Sequence, residues 1–274
     1  MDKKVLSIQD ISCYGQCSLT VALPIISCFG FETAILPSAV LSTHTGGFTG
    51  FTFRDLTDDL PLIKNHWEKE NIDFHAIYTG YIGSIKQLDY IKDIIHSRLQ
   101  VDGIVFVDPA MADNGKLYYG FNQEFADKMG ELCKEGDYIL PNTTEACFIL
   151  HKEWKPDFSE EEMIEMAKEL GKFTKRYVIL KGATFVPGQL GSVVYDRLTE
   201  EMTVVFNKKI EYASHGTGDV FASSFVGEIL RDKTPIEAAT FAGVLVQRAI
   251  EATIDDPSHR YGVKFEKVLH LIND

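Results

Sequence analysis

A chain of 274 residues, 45% hydrophobic and 24% charged, has the length and apolar content of one soluble α/β unit with a large core. Its 40 acidic against 27 basic side chains leave a formal net charge of −13, which argues against nucleic acid or an anionic membrane as partner. No apolar run reaches membrane-spanning length, and five scattered cysteines without a CxxC pair predict reduced thiols in a cytoplasmic protein.

The Val5–Ile8 stretch is too short for a signal peptide and predicts a first strand over Lys4–Ile8. Further short buried strands are predicted at Glu32–Leu36, Phe74–Thr79, Gly103–Asp108, Tyr138–Leu140 and Tyr177–Lys181. Between them, helical spacing with charged outer faces runs through Asp58–Glu70, Ser84–Leu99, Gln123–Cys133 and Ser159–Phe173. Ser159 with Glu162 three residues on is a capping-box start. Alternation of this kind predicts βαβ units, hence a mostly parallel sheet with helices on both faces. Gly191–Asp196 and Met202–Asn207 read instead as an antiparallel edge hairpin, followed by closing helices over Gly218–Leu230 and Pro235–Thr253. Thr43–Arg54 and Pro109–Phe121 are expected to be exposed loops, and residues 1–274 to form a single domain.

The segment His215-Gly216-Thr217-Gly218-Asp219 carries the most chemistry. Its glycines let the backbone approach a bulky anion, and a helix beginning there aims free N–H groups at it. Asp219 then stands beside a bound phosphate with a carboxylate free to accept a proton, although the same residues serve equally as an ordinary acidic helix start. The positive end of the helix is expected to lower the pKa of Asp219.

In an open parallel sheet, ligands collect beyond the carboxyl ends of the strands. Asp10, the Ser42–Gly47 loop with Thr45, Tyr81 between Gly80 and Gly83, Asp108, and Lys181 all fall at such ends. Each also has a plain structural use: a turn aspartate, a mobile loop, a strand-to-helix turn capped by Ser84, a turn before Pro109, a snorkelling lysine. Asn142 and Glu145 have the spacing of a capping box, and the same geometry points oxygen ligands at a hydrated Mg²⁺.

With these residues assembled, the chain resembles the pyridoxal kinases of the ribokinase superfamily nearly end to end. Val5–Gln9 is similar to the family's opening strand, Ser42–Gly46 to its substrate loop, and Thr79-Gly80-Tyr81-Ile82-Gly83 to its T/S-G-Y-x-G element. Asp108-Pro109, Pro141–Ala146 and Gly216-Thr217-Gly218-Asp219 match further family signatures in the same order. The resemblance implies a ribokinase-like three-layer α/β/α fold and ATP-dependent phosphorylation of the 5′-hydroxymethyl group of pyridoxal, pyridoxine or pyridoxamine. It gives Asp219 the place of catalytic base and makes Gly216, Thr217 and Gly218 the anion hole. Asp108, Asn142, Glu145 and Lys181 fall on the ATP side, the first three also toward Mg²⁺. Asp10, Thr45 and Tyr81 fall on the vitamin side. A homodimer, and K⁺ or Na⁺ assisting Mg²⁺, are implied as well.

Two positions depart from the family pattern. Asp10 stands where serine is usual, a carboxylate suited to a protonated ring nitrogen or an amine substituent, which favours pyridoxamine or pyridoxine over pyridoxal. Leu140 stands where a small or hydroxyl residue is usual. Hydroxymethylpyrimidine kinase is the nearest rival reading, and a non-catalytic nucleotide-binding sensor another; a sugar kinase lacks a segment suited to closing over a polyhydroxylated ligand.

Overall fold

The structure, a computed structural model, describes residues 3–212, 214–256, 258–259 and 261–273. In chain order the first elements are β1 (Lys4–Ser12), α1 (Leu19–Cys28), β2 (Glu32–Leu41), β3 (Phe53–Asp55), α2 (Leu60–Lys69), β4 (Phe74–Thr79), α3 (Ile85–Arg98) and β5 (Leu99–Val107). A small hairpin, β6 (Ala112–Asp113) and β7 (Lys116–Leu117), precedes α4 (Gln123–Cys133), β8 (Tyr138–Ile139), α5 (Thr143–Leu150) and α6 (Glu160–Leu170). The chain closes with β9 (Tyr177–Ala183), β10 (Gln189–Asp196), β11 (Met202–Lys208), α7 (Thr217–Leu230) and α8 (Pro235–Glu251).

One nine-stranded sheet takes the order β11-β10-β9-β8-β5-β4-β1-β2-β3. From β2 to β9 every neighbour pairing is parallel, while β10 and β11 add the expected antiparallel hairpin at one edge. The other edge carries β3, antiparallel to β2. Strand alternation sorts the side chains between two layers. Leu6 and Ile8 of β1 and Val105 and Val107 of β5 pack with α2 to α6. Val5, Ala76, Tyr78 and Phe106 pack on the opposite face with α1, α7 and α8. The result is the three-layer α/β/α arrangement with a mostly parallel centre that the alternation predicts.

Several local expectations change. Helix α1 was not foreseen, because its sequence LTVALPIISC has no polar face and contains Pro24, which removes a mid-helix hydrogen bond. The helix holds because it is packed on both sides, with Val21 and Ile25 in one cluster and Ala22 and Ile26 in another. The Thr43–Arg54 and Pro109–Phe121 segments are not simply exposed loops. Phe53–Asp55 is strand β3, and His44 is buried. Met111 and Ala112 are wholly buried, and the turn between β6 and β7 is Asn114-Gly115, both at positive φ (50° and 75°). Asn-Gly is the strongest short hairpin signal in a sequence, and it accounts for a turn that overall loop composition conceals. Leu140, the departure before Pro141, is a fully buried core residue against α7 and α8.

Candidate active site

Strand β1 is paired with β2 on one side and β4 on the other, so the strand order reverses there. Open α/β sheets bind ligands in the crevice such a reversal leaves at the carboxyl ends of the strands. A cleft of about 370 Å³ opens at that place. Asp10 and Ser12 from the end of β1, Leu41 from β2, Tyr81 after β4 and Ala110 after β5 line it, with Gly216 and Asp219 forming part of its wall. A second hollow of about 220 Å³ lies at the opposite ends of the same strands, lined by Lys4, Glu32 and Phe74.

Gly216 is the N-cap of α7, at φ 78° in the left-handed region. As a glycine it has no side chain to cap the helix, which leaves the first N–H groups to an anion. A Cβ at Gly216 would lie 1.8 Å from the Gln16 carbonyl oxygen, so the residue is fixed as glycine by conformation and contact together. Gly216→Ala is expected to lower stability by at least about 1–3 kcal/mol through strain at φ > 0. The same substitution should weaken nucleotide-dependent activity more than it lowers the unfolding midpoint in urea. A variant with unchanged midpoint and activity would show that this tight turn is not required.

Asp219 lies in the first turn of α7, half-buried. Burial pushes its pKa up to about 7; the Ser18 backbone hydrogen bond opposes the rise, Asp108 and Asp10 add to it, and Lys181 opposes it. This corrects the expectation of a lowered pKa. Loss of solvent around the carboxylate, together with two like charges, outweighs the helix dipole, whose effect is modest. Asp219 is therefore a base poised near neutral pH rather than a weak one. Ser18 is a non-glycine residue at φ 51°, an outlier sitting where the loop after β1 meets the α7 N-terminus.

On the far side of Asp219 lies a buried charge cluster. Lys181 Nζ donates to Asp108 Oδ1 and Oδ2 at 3.1 and 3.2 Å. A Cβ at Gly218 would come within 4.0 Å of the same Nζ, so the lysine sits at the helix start. Burial disfavours its ammonium, but Asp108 and Glu145 outweigh burial and raise its pKa. Burial raises the pKa of Asp108 against the pull of Lys181. Glu145 is pushed well above the carboxylate range by burial and by Asp108, against Lys181 and the N–H groups of Asn142 and Met111.

Asn142 and Glu145 form a complete capping box on α5. Glu145 Oε2 accepts from Asn142 N at 2.7 Å and Oε1 from Met111 N at 3.3 Å. Asn142 Oδ1 accepts from Glu145 N, and Nδ2 donates to the Ala112 carbonyl. Among the described residues no cluster of acids, histidines or cysteines is arranged to chelate a metal. Each oxygen of Asp108 and Glu145, and Asn142 Oδ1, has a backbone or lysine partner and keeps further acceptor capacity. An outer role fits, because Mg²⁺ keeps most of its waters and those waters can donate to these oxygens.

On the cleft side, Thr45 is exposed at the rim and Tyr81 is half-buried, its ring stacked on Phe121 at 5.5 Å. Burial, then Asp10 and Asp55, push the Tyr81 hydroxyl up to about 12, so it remains a donor. Asp10 is 5% exposed, with Ser12 Oγ donating to its Oδ2 at 3.0 Å. The structure thus brings Asp10, Thr45, Tyr81 and Asp219 to one cleft, and Asp108, Asn142, Glu145 and Lys181 to a cluster beside it. Residue-level reading left His44 and His215 without a role of their own and missed Asp113, Asn114 and Tyr118, all of which line the cleft. The signals were there: the Asn114-Gly115 turn, and Gly46, whose absent Cβ makes room for the His215 ring at 2.3 Å.

The sequence profile of the phosphomethylpyrimidine kinase family matches residues 62–263. The Bordetella bronchiseptica pyridoxine/pyridoxal/pyridoxamine kinase is 26% identical over 261 residues, covering 91% of this chain and 89% of its own length. A provisionally named phosphomethylpyrimidine kinase from Bacteroides thetaiotaomicron, crystallised with pyridoxal, is 35% identical with a TM-score of 0.95, covering 100% of this chain and 96% of that one. The pyridoxal kinase of Lactobacillus plantarum superposes with a TM-score of 0.91 at 26% identity, over 98% of this chain and 96% of that one. With the family profile matched over residues 62–263 and pyridoxal kinases among its relatives in sequence and in fold, this chain belongs to the phosphomethylpyrimidine kinase family, in the pyridoxal kinase branch of the ribokinase superfamily.

Proposed function

We propose that this chain transfers the γ-phosphoryl group of ATP to the 5′-hydroxymethyl oxygen of a B6 vitamer, with Asp219 as general base. The observation that carries the reading is the position of Asp219, between the substrate-sized cleft and the Lys181 cluster at the start of α7. Asp219 takes the hydroxyl proton as the new O–P bond forms and the bond to the β-phosphate oxygen breaks, releasing ADP. The Gly216, Thr217 and Gly218 backbone cradles the charge on the moving group, and Lys181 adds a point charge beside it. Mg²⁺, when bound with ATP, neutralises phosphate charge; Asp108 and Glu145 would hold it through its waters.

Glu145→Gln is expected to raise the Mg²⁺ concentration for half-maximal rate about ten-fold, as loss of an outer-shell partner does. Initial rates against Mg²⁺ at fixed ATP measure it. An unchanged requirement would confine Glu145 to capping α5.

A second reading is favoured by the matching family's description: phosphorylation of hydroxymethylpyrimidine, a similar hydroxymethyl heterocycle. ATP consumption measured with pyridoxal, pyridoxine, pyridoxamine and hydroxymethylpyrimidine in parallel decides between them. A non-catalytic nucleotide sensor would need the cleft but not the base, and Asp219 speaks against it. The same proposal carries a single domain over residues 1–274 acting as a cytoplasmic homodimer, with K⁺ or Na⁺ assisting; the family resemblance supports these. No described helix is long and apolar enough to cross a membrane.

A further inference from the structure

The cleft carries more negative charge than its own walls offset. Asp10, Asp113 and Asp219 all face it. Lys181, in the cluster beside it, is engaged by Asp108. Burial raises the pKa of Asp10, and among the described residues only the hydroxyls of Ser18 and Ser12 and its own backbone oppose that rise, with no cation among them. The imidazole of His44 does not supply the charge. His44 and His215 lie ring to ring at 4.9 Å, and burial followed by His215 lowers the pKa of His44. Among the described residues, His44 Nε2 is buried without a partner. A buried carboxylate with no counter-ion is costly unless a ligand brings the positive charge or the group takes up a proton.

The position of Asp10 narrows where on a ligand that charge sits. Ser18 serves both carboxylates, reaching Asp219 through its backbone and Asp10 through its side chain. Asp10 and Asp219 therefore share a neighbour as well as a cleft, which puts Asp10 close to the group that carries the reacting hydroxyl. In a B6 vitamer the substituent on the ring carbon next to the hydroxymethyl group lies across the ring from the nitrogen. We propose that Asp10 is the counter-ion for a cationic substituent next to the reactive hydroxymethyl group, so that the cleft selects the amine-bearing vitamer, pyridoxamine, over the aldehyde, pyridoxal. This rests on the B6 reading above.

The test is kcat/KM for pyridoxamine, pyridoxine and pyridoxal in the wild type, Asp10→Asn and Asp10→Ser, at a pH above 7. The ratio of two substrates within one preparation is independent of the fraction folded, so partial misfolding does not hide the result. The pyridoxamine-to-pyridoxal ratio is expected to fall about ten-fold or more in both variants, one charge-assisted hydrogen bond's worth, mostly through KM. Calorimetric binding of pyridoxamine without nucleotide should weaken in parallel. A ratio unmoved in an active variant overturns the proposal, as Asp10 held protonated would give. An equal loss for all three vitamers also overturns it, placing the carboxylate at the shared ring nitrogen. A wild type that phosphorylates none of the three overturns the B6 reading itself, and this inference with it.

Discussion

Asp219→Asn is expected to lower kcat by roughly 10²–10⁴-fold, about 3–5 kcal/mol of transition-state stabilisation, with substrate and nucleotide affinity little changed. The substitution keeps shape and hydrogen-bonding capacity on one oxygen while removing the site that takes the proton. The pH profile adds a second, sharper readout. The folded-state pKa of Asp219 is raised to about 7, and a base works only when deprotonated. Wild-type kcat/KM should therefore rise as pH climbs through about 7 and level off above it, while residual activity of the Asn variant lacks that limb. Near-normal turnover in Asp219→Asn would remove the assignment. A wild-type profile flat from pH 6 to 8 would show instead that bound nucleotide and metal draw the carboxylate back to its ordinary range.

The difference between the expected and observed state of Asp219 shows what sequence does and does not carry. Gly216 and Gly218 announce a helix start that receives an anion, and that is where α7 begins. The charge state of the next acid depends on residues distant in sequence. Asp10 and Asp108 reach it only once β1 and β5 lie near each other in the sheet, and Ser18 only once the loop after β1 closes on α7. Long-range Coulomb terms and desolvation have no local signature. The parallel strands were legible because each is a short apolar run between amphipathic helices, and the caps at Ser84, Asn142 and Ser159 because capping is local. Helix α1 was not legible, since its exposed stripe carries Leu23 and no charged residue, and Pro24 argues against a helix. The roles split in the same way. Asn142 and Glu145 are a capping box by spacing, and only the structure shows that Met111 N and Ala112 O also engage them. Asp10 and Tyr81 share a cleft because β1 and β4 are sheet neighbours, 71 positions apart though they are.

Lys181→Met is expected to destabilise the fold by about 3–5 kcal/mol, the usual cost of leaving a buried partner charge uncompensated. The side chains of Lys181 and Asp108 are 14% and 5% exposed, so water cannot take over the lost interaction. The deficit should depend on pH in a defined direction. The pKa of Asp108 is already raised in the folded protein, and removing Lys181 raises it further, as Lys181 is the group that lowers it. A carboxylate whose folded pKa exceeds its unfolded value costs stability above the folded pKa and costs nothing below the unfolded one, near 4. The Met variant should thus fall furthest behind wild type at neutral and alkaline pH and recover as the solution is acidified. Urea unfolding across pH 5 to 8 measures this. The double variant Asp108→Leu with Lys181→Met removes both charges, and should regain most of the lost stability while staying inactive. A single variant as stable as wild type at every pH would mean that Asp108 finds another partner on relaxation. A double variant that keeps full turnover would separate this ion pair from phosphoryl transfer altogether and confine it to holding β5 against β9 across the intervening β8.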